Sequence, residues 1–381
     1  MSTAFPRFAV RTEVVTGLGS LAHLDALVAG FGHREVAVVA DTALEPAGVL
    51  ARVLGHAPEA IVVSQTLVDP DPDIEVVEQA AAQARAAGAR CVLAIGGGSA
   101  LGVGKAVGIR LTNDQRIDAY EGRDKVGEQP APTIAVPTTA GSGSEVSNAL
   151  VLHEAGRDNE IVVRGELCAP RAAVLDATVL RTLPRTPLVH SALDALSHAL
   201  EALWARGASY FTTATAIPAA RSIIELLPAA ATGADDGSSA AGANDVVLQE
   251  LLEASCAANM ACGNSGLALV HALSSSPSVR VPHGLQNAVL LPHVARFNAD
   301  VLAPEARALL PLVEHLYDEL RLVASFAALD ARSGAGTVDG WRMLEASARN
   351  PFRANNLRPT TDADLVDLLR AAGATFPEES R

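Results

Sequence analysis

The stretch AIGGGSALGVGK, residues 94–105, places three consecutive glycines behind an apolar run and closes on a lysine. The run that leads into it, CVLAI (Cys91–Ile95), is short and continuous in the way of a strand covered on both faces of a sheet. Glycines behind such a strand permit the backbone angles of a tight strand-to-helix turn, and that role is open to them whether or not a ligand is bound. Two phosphate motifs can be tested against the spacing. A Walker loop needs glycine five positions before the Gly-Lys pair and a hydroxyl residue after it, but Ser99 and Ala106 stand there. A G-x-G-x-x-G fingerprint starting at Gly96 needs glycine at 101, which is Leu. Ser99 is placed to cap the helix that follows, and the free N–H groups of that helix would face a ligand at the strand's carboxyl end, where a diphosphate fits.

Further β-branched runs flank this one: VAVVA (Val36–Ala40), AIVVS (Ala60–Ser64), TIAVP (Thr133–Pro137) and AAVLD (Ala172–Asp176). Between them DIEVVEQAAAQARAA (Asp73–Ala87) opens on acidic residues and stops at Gly88, as a helix does. Strands alternating with helices predict a parallel α/β sheet over the first half. A second glycine-rich turn, PTTAGSGSEVS (Pro137–Ser147), again follows a strand and brings Thr138, Thr139, Ser142 and Ser144. Two such turns on one sheet edge predict a dinucleotide crevice. After Pro184 only helical periodicity remains, so PRTP (Pro184–Pro187) is the expected junction between an α/β domain over 1–184 and a helical domain over 185–381. The segment 231–245 reads as an exposed loop between helices.

The 381 residues exceed one ordinary hydrophobic core, which favours two domains. The charge balance of 29 against 43, a net −14, with no block of five basic residues, argues against nucleic acid or anionic lipid as partners. No apolar run approaches the ~18–20 residues of a membrane span, and the N-terminus lacks a signal-peptide pattern, so a cytoplasmic location is expected. Cys91, Cys168, Cys256 and Cys262 show no CxxC spacing and read as buried, reduced thiols.

In the helical half, SALDALSHALEA sets Asp194 and His198 four apart, on one helix face. LVHAL puts His271 in an apolar helix, and VPHGL puts His283 at a proline–glycine break twelve residues later. One carboxylate and three imidazoles form a donor set suited to Fe²⁺ or Zn²⁺. Taken singly, the Asp–His pair also fits a solvated i,i+4 contact, and His271 also fits a hydrogen-bonded core residue. His190 and His293, near these residues in sequence, read as packing or ligand-supporting groups.

The motifs GGGS, PTTAGSGSEVS, LDALSHALEA and VPHGLQNAVLLPHVARFN, in this order, resemble the iron-containing (group III) alcohol dehydrogenase family over nearly the whole chain. The resemblance implies an α/β N-terminal domain with a parallel, Rossmann-like nucleotide-binding sheet and an all-α C-terminal domain. This is the architecture shared with the dehydroquinate synthases, with metal and nicotinamide facing each other in a cleft. It implies Asp194, His198, His271 and His283 as metal ligands, with Fe²⁺ first and Zn²⁺ second. The diphosphate would lie against Gly97, Gly98 and Ser99, with Thr138, Thr139, Ser142 and Leu180 lining the cofactor. Asp41 matches the acid beside the adenosine ribose, which favours NAD(H) because a carboxylate repels a 2′-phosphate. The implied reaction is hydride transfer between nicotinamide C4 and a metal-polarised carbonyl of a small alcohol or aldehyde, in a homodimer or larger homo-oligomer.

Three positions depart from the family pattern. Gly102 stands where most relatives carry Asp, which makes the glycine motif resemble the maleylacetate reductases; those lack the Asp ligand that this chain retains as Asp194. Ser275 replaces a frequent His, in a shortened loop where Arg280 could meet an anionic substrate group. Glu160 stands where Lys is frequent. Alternative readings are a metal-independent maleylacetate-type reductase, a dehydroquinate-synthase-like cyclising lyase, which would need a more basic pocket, and a non-catalytic homologue.

Overall fold

The computed structural model describes residues 7–155, 157, 160–231, 244–276, 279, 281–333 and 337–377. Strands β1 (Glu13–Thr16), β2 (Glu35–Asp41), β3 (Ile61–Val68), β4 (Cys91–Gly96), β6 (Thr133–Pro137) and β9 (Ala172–Leu175) form one sheet in the order β1-β9-β6-β4-β2-β3. Every pairing in it is parallel. The short β5 (Gly122–Arg123), β7 (Ala149–Leu152) and β8 (Ile161–Arg164) form a second, mixed sheet in the order β5-β8-β7. All residues of β4 and β6 are buried, as expected of strands with both faces covered. The five strands anticipated from apolar runs are all present, with bounds within a few residues. β1 and the small sheet were not anticipated.

Helices α1 (Leu24–Gly30), α2 (Val49–Gly55), α3 (Ile74–Ala86) and α4 (Gly98–Thr112) connect the strands of the large sheet. Asp73 caps α3, its carboxylate accepting from Glu75 N–H at 2.9 Å. α4 packs hard against β4: a Cβ on Gly104 would stand 2.4 Å from Ala94 Cβ, and one on Gly108 would stand 2.7 Å from Thr133 Oγ1. Lys105 is buried on this helix. Its ammonium donates to the carbonyls of Ala149 at 2.6 Å and Ser147 at 3.3 Å, so the lysine that closes the opening motif ties down the segment between β6 and β7. Burial pulls its pKa down to about 8 and pushes that of buried Glu145 up to about 7.

The C-terminal region is helical: α5 (Arg185–Trp204), α6 (Tyr210–Ala231), α7 (Asp245–Ser265), α8 (Leu269–Leu273), α9 (His283–Asn298) and further helices to Ala371. The loop expected over 231–245 falls mostly outside the described residues; α6 reaches Ala231 and α7 begins at Asp245. The chain divides into two compact units. One comprises Val10–Leu188 with Ala230–Cys256, and the other Met1–Ala9, Val189–Ala229 and Ala257–Arg381. All four cysteines are free and buried. Among the described residues no helix is long and apolar enough to cross a membrane.

Candidate functional site

The register of the large sheet fixes one cluster. Ala40 pairs with Ile95, and Gly96 with Pro137, so the carboxyl ends of β2, β4 and β6 lie side by side. Asp41, the glycine turn and the Thr138–Ser142 turn therefore share one sheet edge. Thr138 N–H donates to the Gly96 carbonyl at 3.0 Å. Gly97 N–H donates to Asp41 Oδ2 at 2.6 Å. The glycines are held by close approach: a Cβ on Gly96, whose φ is +148°, would stand 2.5 Å from Asp41 Oδ2. A Cβ on Gly98 would stand 3.1 Å from Ser142 Cβ, whereas one on Gly97 would meet Thr139 Oγ1 at an ordinary 3.5 Å. Burial raises the pKa of Asp41, opposed by the Gly97 and Ala100 N–H groups.

Ser99 does not cap α4. The N-cap position is Gly97, with no side-chain cap, and Ser99 lies inside the first turn, its Oγ accepting from Asp71 N–H at 3.3 Å. The Asp41 carboxylate takes the Gly97 donor instead, reaching it from the neighbouring strand. Leu180 is fully buried at the end of a short turn, Ala177–Leu180, that follows β9.

A second cluster is built within the helical unit. α5 presents Asp194, His198 and Glu201 at i, i+4 and i+7, one stripe of the helix. α8 brings His271, and α9 brings His283 and, one turn on, Asn287. Ligand atoms of Asp194, His271 and His283 all lie within 4.8 Å of one another. His198 stacks on His271 with ring centroids 4.6 Å apart, and its Nε2 is 4.0 Å from Asp194 Oδ1, so it borders this trio. His283 begins α9 with Pro282 as its N-cap, so Gly284 continues the helix where a proline–glycine break was expected. The glycine serves close packing, since a Cβ there would stand 2.7 Å from the His190 carbonyl of α5.

Asn287, fully buried, shows that the donors converge. Its Nδ2 lies 2.7 Å from Asp194 Oδ1, 3.1 Å from His283 Nε2 and 3.2 Å from His271 Nε2. One amide has two hydrogens and cannot serve three acceptors fully, so these lone pairs are aimed at one point. The Oδ1 of Asn287 and the Nδ1 of His198 are buried with no partner among the described residues. Burial opposes ionisation of Asp194, but the surrounding histidines outweigh it and hold the carboxyl well below its usual range. Burial pulls His198 down to about 4. His271 is also penalised by burial, yet Glu201 and Asp194 push it up to about 10.

Glu201 and Asn287 were not singled out by sequence reasoning. Their signal was available as the extension of the α5 stripe by three residues and of the His283 face by four. Ser275 is half-buried, its hydroxyl donating to the Ala272 carbonyl at 2.8 Å, and Arg280 lies outside the described residues. His293 is a packing residue, its Nε2 bonded to the Ala324 carbonyl at 2.9 Å.

Comparison with known proteins finds matches over most of the chain. The family model for iron-containing alcohol dehydrogenase covers residues 11–177, and that for the C-terminal part of the Fe-containing alcohol dehydrogenase family covers 188–321. The chain is 33% identical over 384 residues to the probable alcohol dehydrogenase EutG of Salmonella typhimurium, covering 96% of this chain and 94% of that one. It is 31% identical to the NAD-dependent methanol dehydrogenase of Bacillus methanolicus, over 76% of this chain and 75% of the relative. The crystal structure of a 1,3-propanediol oxidoreductase superposes with a TM-score of 0.87 at 25% identity, over 97% of this chain and 100% of the other. The chain belongs to the iron-containing alcohol dehydrogenase family. It is an oxidoreductase acting on CH–OH groups.

Proposed function

We propose that the protein is a metal-dependent, NAD(H)-linked alcohol dehydrogenase or aldehyde reductase acting on a small substrate. The observation that carries this reading is the convergence of buried Asp194 and His271 with exposed His283 on one point, with His198 beside them. Three imidazoles and one carboxylate suit Fe²⁺ or Zn²⁺ better than a harder, all-oxygen ion. A divalent metal held there supplies the Lewis acidity that polarises an alcohol or carbonyl oxygen, and the nicotinamide carries the hydride.

The remaining roles fall to the chain itself. Asp194, held ionised, offers the anionic donor, and His198, held neutral by burial, keeps a lone pair available at neutral pH. Gly97 and Gly98 carry no Cβ at the start of α4, where the backbone N–H groups of the first turn and the hydroxyls of Thr138, Thr139 and Ser142 suit a diphosphate. Asp41 sits at the carboxyl end of the adjacent strand, where its second oxygen would accept from a ribose hydroxyl and disfavour a 2′-phosphate. Ser275 does not titrate near neutral pH, so a proton relay would have to use a cofactor ribose hydroxyl, water or another group.

Metal analysis joined to an NADH-oxidation screen over small aldehydes, anionic ones included to probe Arg280, tests the proposal. The expected result is activity restored by Fe²⁺ or Zn²⁺ after chelation and abolished in Asp194→Ala. Activity indifferent to chelator and to that substitution sinks it, and would favour the metal-independent reductase reading.

A further inference from the structure

Glu201 lies one helical turn beyond His198 on the α5 stripe and is 0% exposed. Its carboxylate accepts from the backbone N–H groups of Ala268 at 2.8 Å, Val270 at 2.5 Å and His271 at 3.4 Å, and its Oε2 is 2.8 Å from His271 Nδ1. Among the described residues no lysine or arginine pairs with it; its one ionic contact is His271. A carboxylate buried so completely is costly unless hydrogen bonds and a countercharge meet it. The amides at the start of α8 supply the hydrogen bonds. Among the described residues the countercharge comes through the His271 ring, whose other nitrogen, Nε2, is 3.5 Å from Asp194 Oδ1 in the converging donor set.

We propose that Glu201 is a positioning residue of the metal centre. By accepting the Nδ1–H of His271 it selects the tautomer whose Nε2 lone pair faces the metal, and by accepting the α8 amides it fixes the depth at which that ring stands. It also sets the charge of the centre. Asp194 and Glu201 are two buried carboxylates around three imidazoles that are neutral once a metal has displaced the His271 proton, so a divalent cation brings the cluster to neutrality and a trivalent one leaves a positive charge. This inference rests on the metal reading of the previous section.

A role confined to clamping the α8 backbone makes a different forecast, and Glu201→Gln separates the two. Both carboxylate oxygens face donors, Oε2 the Ala268 N–H and His271 Nδ1–H and Oε1 the Val270 and His271 N–H groups, so glutamine has one acceptor where two are needed. With its NH₂ at the Oε2 place the ring is driven to the other tautomer, and with its carbonyl there Nδ1–H keeps only a neutral acceptor on an α8 turn pushed off its amides, so either way the Nε2 donor is weakened. The test is Co²⁺ titration of metal-free wild-type protein and of Glu201→Gln, against a competing chelator, with the visible absorption of the bound cobalt recorded. The expected outcome is an affinity lower by about 10–100-fold in the variant, with an altered cobalt spectrum. Equal affinity and an unchanged spectrum, with only thermal stability reduced, reduce Glu201 to a backbone clamp and overturn the proposal. Wild-type protein that takes up no Co²⁺ overturns the metal reading and this proposal together. A variant that does not fold leaves the wild-type measurement decisive: in the Zn²⁺-loaded protein, nitrogen-15 NMR should place the His271 proton on Nδ1, and finding it on Nε2 refutes the assignment.

Discussion

Gly102 and Gly104, two positions apart in α4, are glycines for different reasons. A Cβ on Gly104 would drive into Ala94, whereas a Cβ on Gly102 would meet nothing nearer than the Val151 carbonyl at 3.8 Å. Gly102→Ala should therefore stabilise the protein by about 0.5–1 kcal/mol through helix propensity and a less flexible unfolded chain. Gly104→Ala should destabilise it by about 1–3 kcal/mol through overpacking. Denaturant midpoints of the two variants, which should move in opposite directions, provide the check. Gly102 is thus tolerated by packing and not demanded by it. At the same scale, His271 makes metal uptake pH-dependent. Its pKa in the metal-free fold is raised from 6.5 to about 10, so the stability it contributes is complete below pH 6.5 and is lost as pH rises through about 10. A metal must displace that proton, so apparent affinity should climb over the same interval, with about one proton released per ion near neutrality. Calorimetry in buffers of different ionisation enthalpy measures this release, and an affinity flat from neutral pH to pH 9 contradicts it.

The element scale shows why some of the fold was legible and some was not. The central strands announce themselves because burial on both faces demands continuous apolar runs, as in CVLAI and TIAVP. β1 is only EVVT and β5 only GR, too short to carry a pattern, and both exist because a neighbouring strand offers hydrogen-bond partners. The capping of α4 is hidden for a related reason: sequence shows Ser99 near the turn but not that Asp41, far away in the chain, reaches Gly97 first. The same holds at the helical site. Spacing put Asp194 and His198 on one face, but only tertiary packing shows His271 leaning on Glu201. Gly284 belongs to this scale, because it sets how closely α9 approaches α5. Gly284→Ala should push His283 away from Asp194 and lower metal affinity at least tenfold, on the order of 1.4 kcal/mol, with helical content retained. Chelator competition with a circular dichroism control measures both.

At the scale of the whole molecule, the nucleotide turn and the donor cluster are built in separate compact units, each from its own residues. Dinucleotide affinity and metal occupancy should therefore be separable. Removing the metal should abolish turnover while NADH still binds, as followed by its fluorescence; NADH affinity falling in step with metal content would contradict this. In the opposite sense, Asp41→Ala should leave metal content unchanged and narrow the preference for NAD⁺ over NADP⁺, read as the ratio of kcat/KM values.

The four buried thiols carry a practical consequence. Burial lifts Cys91 and Cys168 to about 11, and Cys256 and Cys262 are pushed up as well, so the native molecule presents almost no thiolate to an alkylating reagent. Labelling then reports opening of the fold. Cys262 belongs to the helical unit and the other three to the α/β unit, so mass spectrometry of partly labelled protein reads which unit opens first. The native cysteines form a clock for each half of the molecule, and a bound metal should slow the one at Cys262.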